Sequence, residues 1–391
     1  MTARALLYGA SGYTGRMIAR YLADRGVDLI LAGRNPQSVR AVADPLGFAW
    51  RSFDLQSPDP VDAGLQNVDV VLHAAGPFMR TAEPMMAACL RTGTHYLDVS
   101  GEWPVFTAAM ELGEAAVAAG VMLMPGVGFT VAVTDCFLAL AIRRRPDAVK
   151  LRLGVSLPRR LSRGTLVTAA QFVGPDALIR RGGRLQTVPG GVLTHAFDFG
   201  DGLREATAAS WADLVTGGYT TGVEDIEVYS ELPWPQRLSY RAASMAMRVT
   251  GRRPWQTAGA VLGAAWPNNP PAEDQDRAGF VMVVEALDPW RRVTRLRMRT
   301  LDGYRASVLT AAGAVERVMA GTWTAGFQTP ARVFGADFAF DLGCATLDEP
   351  SQTREQGNFR LSTPKSESCF RNKNVGFDPA YGSVPSNGIK L

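Results

Sequence analysis

Hydrophobic and polar positions alternate in two different ways along this chain, and the change of rhythm falls near residue 145. Before it, short apolar runs trade places with segments of helical spacing. Ala5–Tyr8 is an apolar run followed at once by glycines. From Gly15 to Arg25, Met17, Ile18, Tyr21 and Leu22 share one face of a 3.6-residue repeat, while Arg16, Arg20 and Asp24 share the other. That spacing predicts a half-buried helix, with Gly26 as its stop. Leu29–Ala32, Ala49–Phe53, Val68–Ala74, His95–Val99 and Val121–Met124 read as further strands. Helical spacing covers Glu83–Arg91, Val105–Ala119 and Val131–Arg144. Strand–helix units repeated in this way need a parallel sheet covered on both faces. The expectation is an α/β chain whose residues 1–135 form a Rossmann-type, doubly wound parallel sheet.

Past residue 145 strand patterns dominate: Val149–Leu157, Arg184–Val188, Val192–Asp198, Ile226–Ser230, Gly279–Leu287 and Val293–Thr300. Helical spacing interrupts them at Leu166–Val173 and Arg305–Met319. A second, α+β domain on a mixed or antiparallel sheet is expected over 136–345, with its last part available to return to the first domain. From Thr346 onward Ser, Asn and Gly replace periodic apolar residues. Three of the four lysines (Lys365, Lys373 and Lys390) lie there, against Lys150 alone before it. Residues 346–391 therefore read as a disordered tail.

Composition narrows the class. The chain has 391 residues, 47% of them apolar and 20% charged, with a formal net charge of +4. That is ordinary globular composition for two domains. Basic residues are scattered, and the Arg143–Arg145 triplet suits a helix end, so a nucleic-acid partner is not expected. Cys89, Cys136, Cys344 and Cys369 form no CxxC pair, and His73, His95 and His195 are equally isolated. No metal site is expected, and reduced, cytoplasmic cysteines are. A strand pattern stands where a signal peptide would begin, and no apolar run reaches the roughly 20 residues of a spanning helix. Arg248–Trp266 sets Trp255, Val261, Leu262 and Trp266 beside Arg252 and Arg253. It reads equally as a packed helix or as a segment that lies on a membrane or covers an acyl chain. A homodimer is a further open reading.

Chemistry enters at Gly9-Ala10-Ser11-Gly12-Tyr13-Thr14-Gly15, between the first strand and the first helix. A dinucleotide site needs one glycine for the turn, one for approach of the pyrophosphate, and one to let helix pack on strand. The helix N-terminus then offers unpaired N–H groups to the anion. The second strand ends in Gly33-Arg34-Asn35. An acidic residue here would hold a ribose 2′-hydroxyl; Arg34, with Asn35 as an added donor, suits a 2′-phosphate, hence NADP(H) rather than NAD. Asp54 reads equally as an adenine contact or a plain turn residue. Ala75, Gly76, Pro77 and Phe78 follow the fourth strand, along which the nicotinamide half would lie.

Other chemistries fail on residue type. Short-chain dehydrogenases pair a Tyr with a Lys four positions on, and no Lys precedes Lys150. Thioester-forming dehydrogenases need a reactive Cys, whereas Cys136 sits in the apolar run Asp135-Cys136-Phe137-Leu138, as a buried core Cys would.

The sequence resembles the saccharopine dehydrogenase-like oxidoreductases, including the trans-acting enoyl reductases of bacterial lipid biosynthesis. The resemblance runs from the N-terminus to about residue 343. It is carried by GASGYTG from Gly9, LAGRN from Leu31, HAAGPF from His73, THYLDVSGE from Thr94 and MPGVGF from Met124. Later come SRGT from Ser162, GFQTPA from Gly326 and FGADF from Phe334. It implies NADP-linked reduction of a C=N or C=C bond in a small or lipid-like substrate, and it assigns no catalytic residue. Thr130 stands where relatives often carry an acidic or small polar residue.

Hydride chemistry asks for a proton donor or oxyanion stabiliser beside the nicotinamide, not a nucleophile. Asp98, Ser100 and Glu102 fall at and after a strand's C-terminal end, where parallel sheets hold ligands. Glu102 is the first candidate for contact with substrate or nicotinamide; as a helix N-terminal acid it would instead complement the dipole. Thr130 reads as a helix cap and Asp135 as a buried pairing group. From the second domain, Arg163 is a candidate for a substrate carboxylate, and Tyr219, in a glycine-rich loop, for a proton donor. His195 reads as structural. The rival to an oxidoreductase is a catalytically idle dinucleotide-binding protein that works through partner or membrane contacts.

Overall fold

A computed structural model of the protein describes residues 4–156, 176–232, 234–251 and 279–348. The expected helix at 166–173, the SRGT segment with Arg163, Trp255 to Trp266, and the chain beyond Asp348 lie outside the described residues. Strand β1 (Ala5–Tyr8) is buried along its whole length, so it must be covered on both faces. It pairs in parallel with β2 (Leu29–Gly33) and β4 (Val70–His73). The sheet extends through β3 (Ala49–Ser52) on one side, and through β5 (His95–Asp98) and β6 (Met122–Met124) on the other. Helices α1 (Tyr13–Asp24), α2 (Pro36–Leu46), α3 (Pro58–Gly64), α4 (Phe78–Thr92), α5 (Trp103–Glu111) and α6 (Gly113–Ala118) connect these strands. The chain reverses direction across the sheet between β1 and β4, which opens a crevice at the carboxyl ends of those strands. The expected single helix over 105–119 is two, broken at Leu112 before Gly113.

The second sheet has nine strands among the described residues: β7 (Lys150–Val155), β8 (Asp176–Arg181), β9 (Arg184–Pro189), β10 (Thr194–Asp198), β11 (Leu203–Ala208), β12 (Asp225–Glu231), β13 (Val281–Leu287), β14 (Val293–Thr300) and β16 (Ala345–Asp348). Its path runs β10-β11-β12-β7-β13-β14-β16, with β8 and β9 attached beside β12. Only the β12–β7 pair is parallel, so the sheet is mixed. Strand β16 takes Thr346–Asp348 into the sheet opposite β14, so these first residues of the expected tail are ordered. Helix α8 (Asp213–Thr221) precedes β12 and helix α9 (Trp234–Thr250) follows it. No helix among the described residues is long and apolar enough to cross a membrane.

Three elements join the sheets. Helix α7 (Phe129–Arg144) leaves β6 and packs against α8, β13 and β14. Helix α10 (Gly303–Met319) returns from β14 to lie on α1 and α7, and Arg25 of α1 closes an ion pair with Glu316 at 2.5 Å. Strand β15 (Gly326–Phe327) then adds to the β6 edge of the first sheet, and α11 (Pro330–Phe334) and α12 (Phe338–Asp341) pack beside α7. One apolar core consequently holds Leu7, Leu31 and Val70 of the first sheet together with Leu153, Met282 and Val284 of the second. The expected boundary at 135/136 falls inside α7.

The second sheet curls so that β10 lies over β7 and β13. His195 Nε2 is 2.9 Å from Glu285, a structural place for that histidine. Burial pushes the Glu285 carboxyl up, but bonds from His195 and Arg295 outweigh it and hold the pKa at about 2. Phe197 covers Gly154, where a Cβ would come 2.6–2.8 Å from three ring atoms. Gly154→Ala should therefore destabilise the fold by about 1–3 kcal/mol through overpacking. In urea unfolding, the same change made in a Phe197→Leu background should cost clearly less. Equal costs in the two backgrounds would remove this contact as the cause.

Candidate active site at the carboxyl edge of the parallel sheet

The loop between β1 and α1 is shaped by what its glycines lack. Gly9 has φ +91°, and a Cβ there would stand 2.7 Å from the Ala74 carbonyl carbon. It would thus drive the glycine loop away from the loop after β4. At Gly15 a Cβ would fall 2.2 Å from the Gly9 oxygen, so only glycine lets α1 start this close to β1. Gly12 occupies the N-cap position of α1 with no side-chain cap, and the first turn carries no acidic residue. The N–H groups of Tyr13, Thr14 and Gly15 open the helix, and its positive end is left for an anion. Arg16 Nη1 donates to the Ser11 carbonyl at 2.7 Å and so braces the loop. This cradle fits a dinucleotide pyrophosphate.

At the end of β2, Arg34 is exposed and borders an open cleft with Trp50, Ser52, Phe53 and Asp54. Asn35 caps α2 through its Oδ1, which accepts from Ser38 N at 2.9 Å. Asp54 Oδ1 accepts from Gln56 N at 3.0 Å, the turn role, while the residue still lines the cleft. After β4, Gly76 and Pro77 are exposed and joined by a cis peptide. The Thr81 hydroxyl donates to the Ala75 carbonyl at 2.8 Å and fixes that loop onto α4. Phe78 packs edge-on to His73, with ring centroids 5.4 Å apart. His73 is fully buried, and burial lowers its pKa to about 3, so the ring is neutral at ordinary pH.

Beyond β5 the backbone is organised by Asp98, which is fully buried. Its Oδ1 accepts from Ser100 N, Ser100 Oγ and Gly126 N at 2.9, 2.7 and 2.8 Å, and its Oδ2 accepts from Tyr96 at 2.6 Å. Burial raises its pKa, and these bonds oppose the rise. One carboxylate therefore ties the loop after β5 to the loop after β6. Glu102 follows at the N-cap position of α5, 7% exposed, with Oε2 accepting from Gly101 N at 2.9 Å. Burial raises its pKa as well, and Asp98 adds to the rise. A Cβ on Gly101 would lie 2.9 Å from Thr130 Oγ1, so Thr130, in the first turn of α7, abuts this segment.

The second half of the chain contributes residues that the sequence reading missed. Tyr304 stands edge-on to Tyr13 of the glycine loop at 4.9 Å. Ser307 Oγ accepts from Phe129 N at 3.0 Å, and Phe280 packs against Phe129 with ring centroids 4.7 Å apart and the rings tilted by 37°. The N-terminus of α10 thereby packs against the glycine loop and the start of α7. A Tyr and a Ser near a helix start carry no motif, so only the fold reveals them. Tyr219 belongs to helix α8 rather than to a loop, its hydroxyl donates to the Phe327 carbonyl at 2.8 Å, and Arg332 lies 4.5 Å over its ring. That donor is committed to holding α8 on β15. Cys136 is buried, as its apolar setting predicts, with its thiol pKa pushed up by burial. No cluster of metal-ligating side chains occurs among the described residues.

Behind the edge, two buried acids share the interface of α7 and α8. Asp135 accepts from Thr220 at 2.5 Å and from Ala331 N at 2.8 Å; burial nonetheless raises its pKa to about 6. Asp213 is fully buried beside Thr134, whose hydroxyl donates to the Thr130 carbonyl instead. Burial, reinforced by Asp135, raises the Asp213 pKa from 3.8 to about 7. A raised folded-state pKa means that the native protein holds the proton more tightly than the unfolded chain. This contribution is full below about pH 4 and is lost as pH rises through about 7. Asp213→Asn should flatten the dependence of stability on pH across that window, relative to wild type, by up to about 1.4 kcal/mol per pH unit. Parallel stability–pH curves for the two proteins in urea would refute the assignment.

Residues 5–124 match the saccharopine dehydrogenase NADP binding domain. A trans-acting enoyl reductase of Mycobacterium ulcerans (strain Agy99) is 38% identical over 104 residues, 25% of this chain and 25% of that protein. A trans-acting enoyl reductase of Mycobacterium leprae (strain TN) is 33% identical over 147 residues, 36% and 35% of the two chains. The chain thus spans only about a quarter to a third of the length of these curated relatives. Among solved structures, apo saccharopine dehydrogenase (L-Glu forming) from Saccharomyces cerevisiae superposes with a TM-score of 0.59 at 15% identity, covering 89% of this chain and 100% of that one. The glycine cradle and the β3-β2-β1-β4-β5-β6 order agree with these likenesses: residues 5–124 are similar to the saccharopine dehydrogenase NADP binding domain, and the fold around them is like that of the yeast enzyme.

Proposed function

We propose that this protein is an NADP(H)-dependent oxidoreductase that reduces a C=C or C=N bond of a small or lipid-like substrate. The observation that carries this reading is the convergence of five segments on one sheet edge: the glycine cradle, the loop after β4, the Asp98–Glu102 segment, and the N-termini of α7 and α10. When bound, NADPH supplies the hydride. Gly9, Gly12 and Gly15 give its pyrophosphate room, and Arg34 offers a permanently charged fork to the 2′-phosphate. Ala75 to Phe78 border the path toward the nicotinamide. Asp98 orients the neighbouring loops without being spent as an acid, because its oxygens already accept four bonds. Glu102 is assigned to substrate or to proton delivery, since burial makes its carboxyl hold a proton more readily than an exposed glutamate would. Phe129, Phe280 and Tyr304 form an apolar wall that excludes water. The alignment with enoyl reductases favours a C=C bond among the two.

Arg34→Ala should weaken NADPH binding much more than NADH binding, by about tenfold or more, because only NADPH carries the 2′-phosphate. Equal losses in calorimetry would place Arg34 outside the site. Screening of enoyl and imine compounds for NADPH consumption tests the activity itself. With a substrate in hand, Glu102→Gln should lower turnover by about 100-fold or more and leave NADPH affinity intact. If turnover persists and only stability drops, by roughly 0.3–1 kcal/mol, Glu102 is a helix-dipole acid instead.

A further inference from the structure

Helix α9 (Trp234–Thr250) has two faces that its sequence alone does not rank. The inner face is set by Tyr240, Ser244 and Met247. Ser244 and Met247 are buried, and a Cβ on Gly190 would lie 2.9 Å from the Tyr240 ring and 3.0 Å from Ser244 Oγ. The turn after β9 is thus the seat of this helix. The outer face carries Trp234, Leu238, Met245 and Val249, which are 70%, 60%, 64% and 88% exposed. At 100° per residue these four and Ala242 fall within an arc of about 80°, opposite the seated face. Arg237, Arg241 and Arg248 fall within a further arc of about 40° along one border of the apolar stripe. The helix contains no Asp or Glu. Arg237 pairs with Glu205 and Arg248 with Asp176, which fixes the guanidinium row at the junction of helix and body.

We propose that α9 docks the protein on a lipid surface with anionic headgroups, the apolar stripe entering the acyl boundary and the exposed Arg241 meeting the phosphates, while Arg237 and Arg248, each paired with a carboxylate of the body, hold the border of the stripe in place. A row of four large apolar side chains left in water calls for an occupant. An acid-free, basic helix with a Trp at one end matches the headgroup zone in both polarity and charge. A second copy of this chain fits worse, because a two-fold contact through this face would set the same arginine row against itself. The inference is independent of the reaction proposed above, and either can fail alone.

The test is flotation of the full chain with extruded vesicles of phosphatidylcholine, or of phosphatidylcholine mixed with phosphatidylglycerol. Binding is expected to the mixed vesicles only and to weaken as salt is raised. Leu238→Glu with Met245→Glu changes only exposed positions. It should reduce binding about tenfold or more while the melting temperature and NADPH affinity stay put. Absence of binding to the anionic vesicles, or equal binding by the double variant, would overturn the proposal. So would a wild-type dimer in light scattering that the double variant converts to a monomer, since the face would then belong to a second copy.

Discussion

The burial of helix α7 is the constraint on which the rest of this molecule depends. Eleven of its sixteen residues are buried, more than one stripe of a helix can supply, so it cannot lie on a surface and must run between layers. It leaves the last strand of the Rossmann sheet and becomes the floor of the second sheet within a single helix. Asp135 is the one carboxylate in that run. Its burial is tolerable because Thr220 of α8 and the Ala331 N–H of α11 both donate to it. The same two bonds pin elements from distant parts of the chain onto α7. The second half is therefore held in a fixed place over the first by a shared core.

That placement makes the site. In a parallel sheet every strand ends on the same side, so the glycine loop, Arg34, the Ala75–Phe78 loop and the Asp98–Glu102 segment arrive at one edge. By itself such an edge is open to water. The return of α10 puts Tyr304 against Tyr13, and Ser307 under the first N–H of α7, which ties the second half of the chain to that edge. Asp98 works at right angles to this, joining the loops after β5 and β6 from beneath. Glu102 follows on the same segment, buried at the N-cap position of α5.

The strand–helix alternation of the first third, the mixed character of the second sheet and the glycine cradle could be read from the sequence, because each depends on short-range rules. Periodicity of 2 or 3.6 reports burial, and Gly9 and Gly15 are required wherever a helix must start against its own strand. Cys136 could be placed in the core on its neighbours alone. The place of Arg34 just after β2 was legible too, because the apolar run stops there, and the structure leaves it exposed beside the cleft. Tertiary structure decided the rest. Tyr219 reads as a loop residue from its glycines, yet packing against β15 and Arg332 makes Asp213–Thr221 a helix and spends the hydroxyl on a carbonyl. Tyr304, Ser307 and the Asp135–Asp213 pair carry no local pattern, because their meaning lies in partners up to about two hundred residues away. The apolar stripe of α9 belongs with them: one stretch of sequence supplies two amphipathic faces, and only the seat against the turn after β9 determines which one is left to solvent.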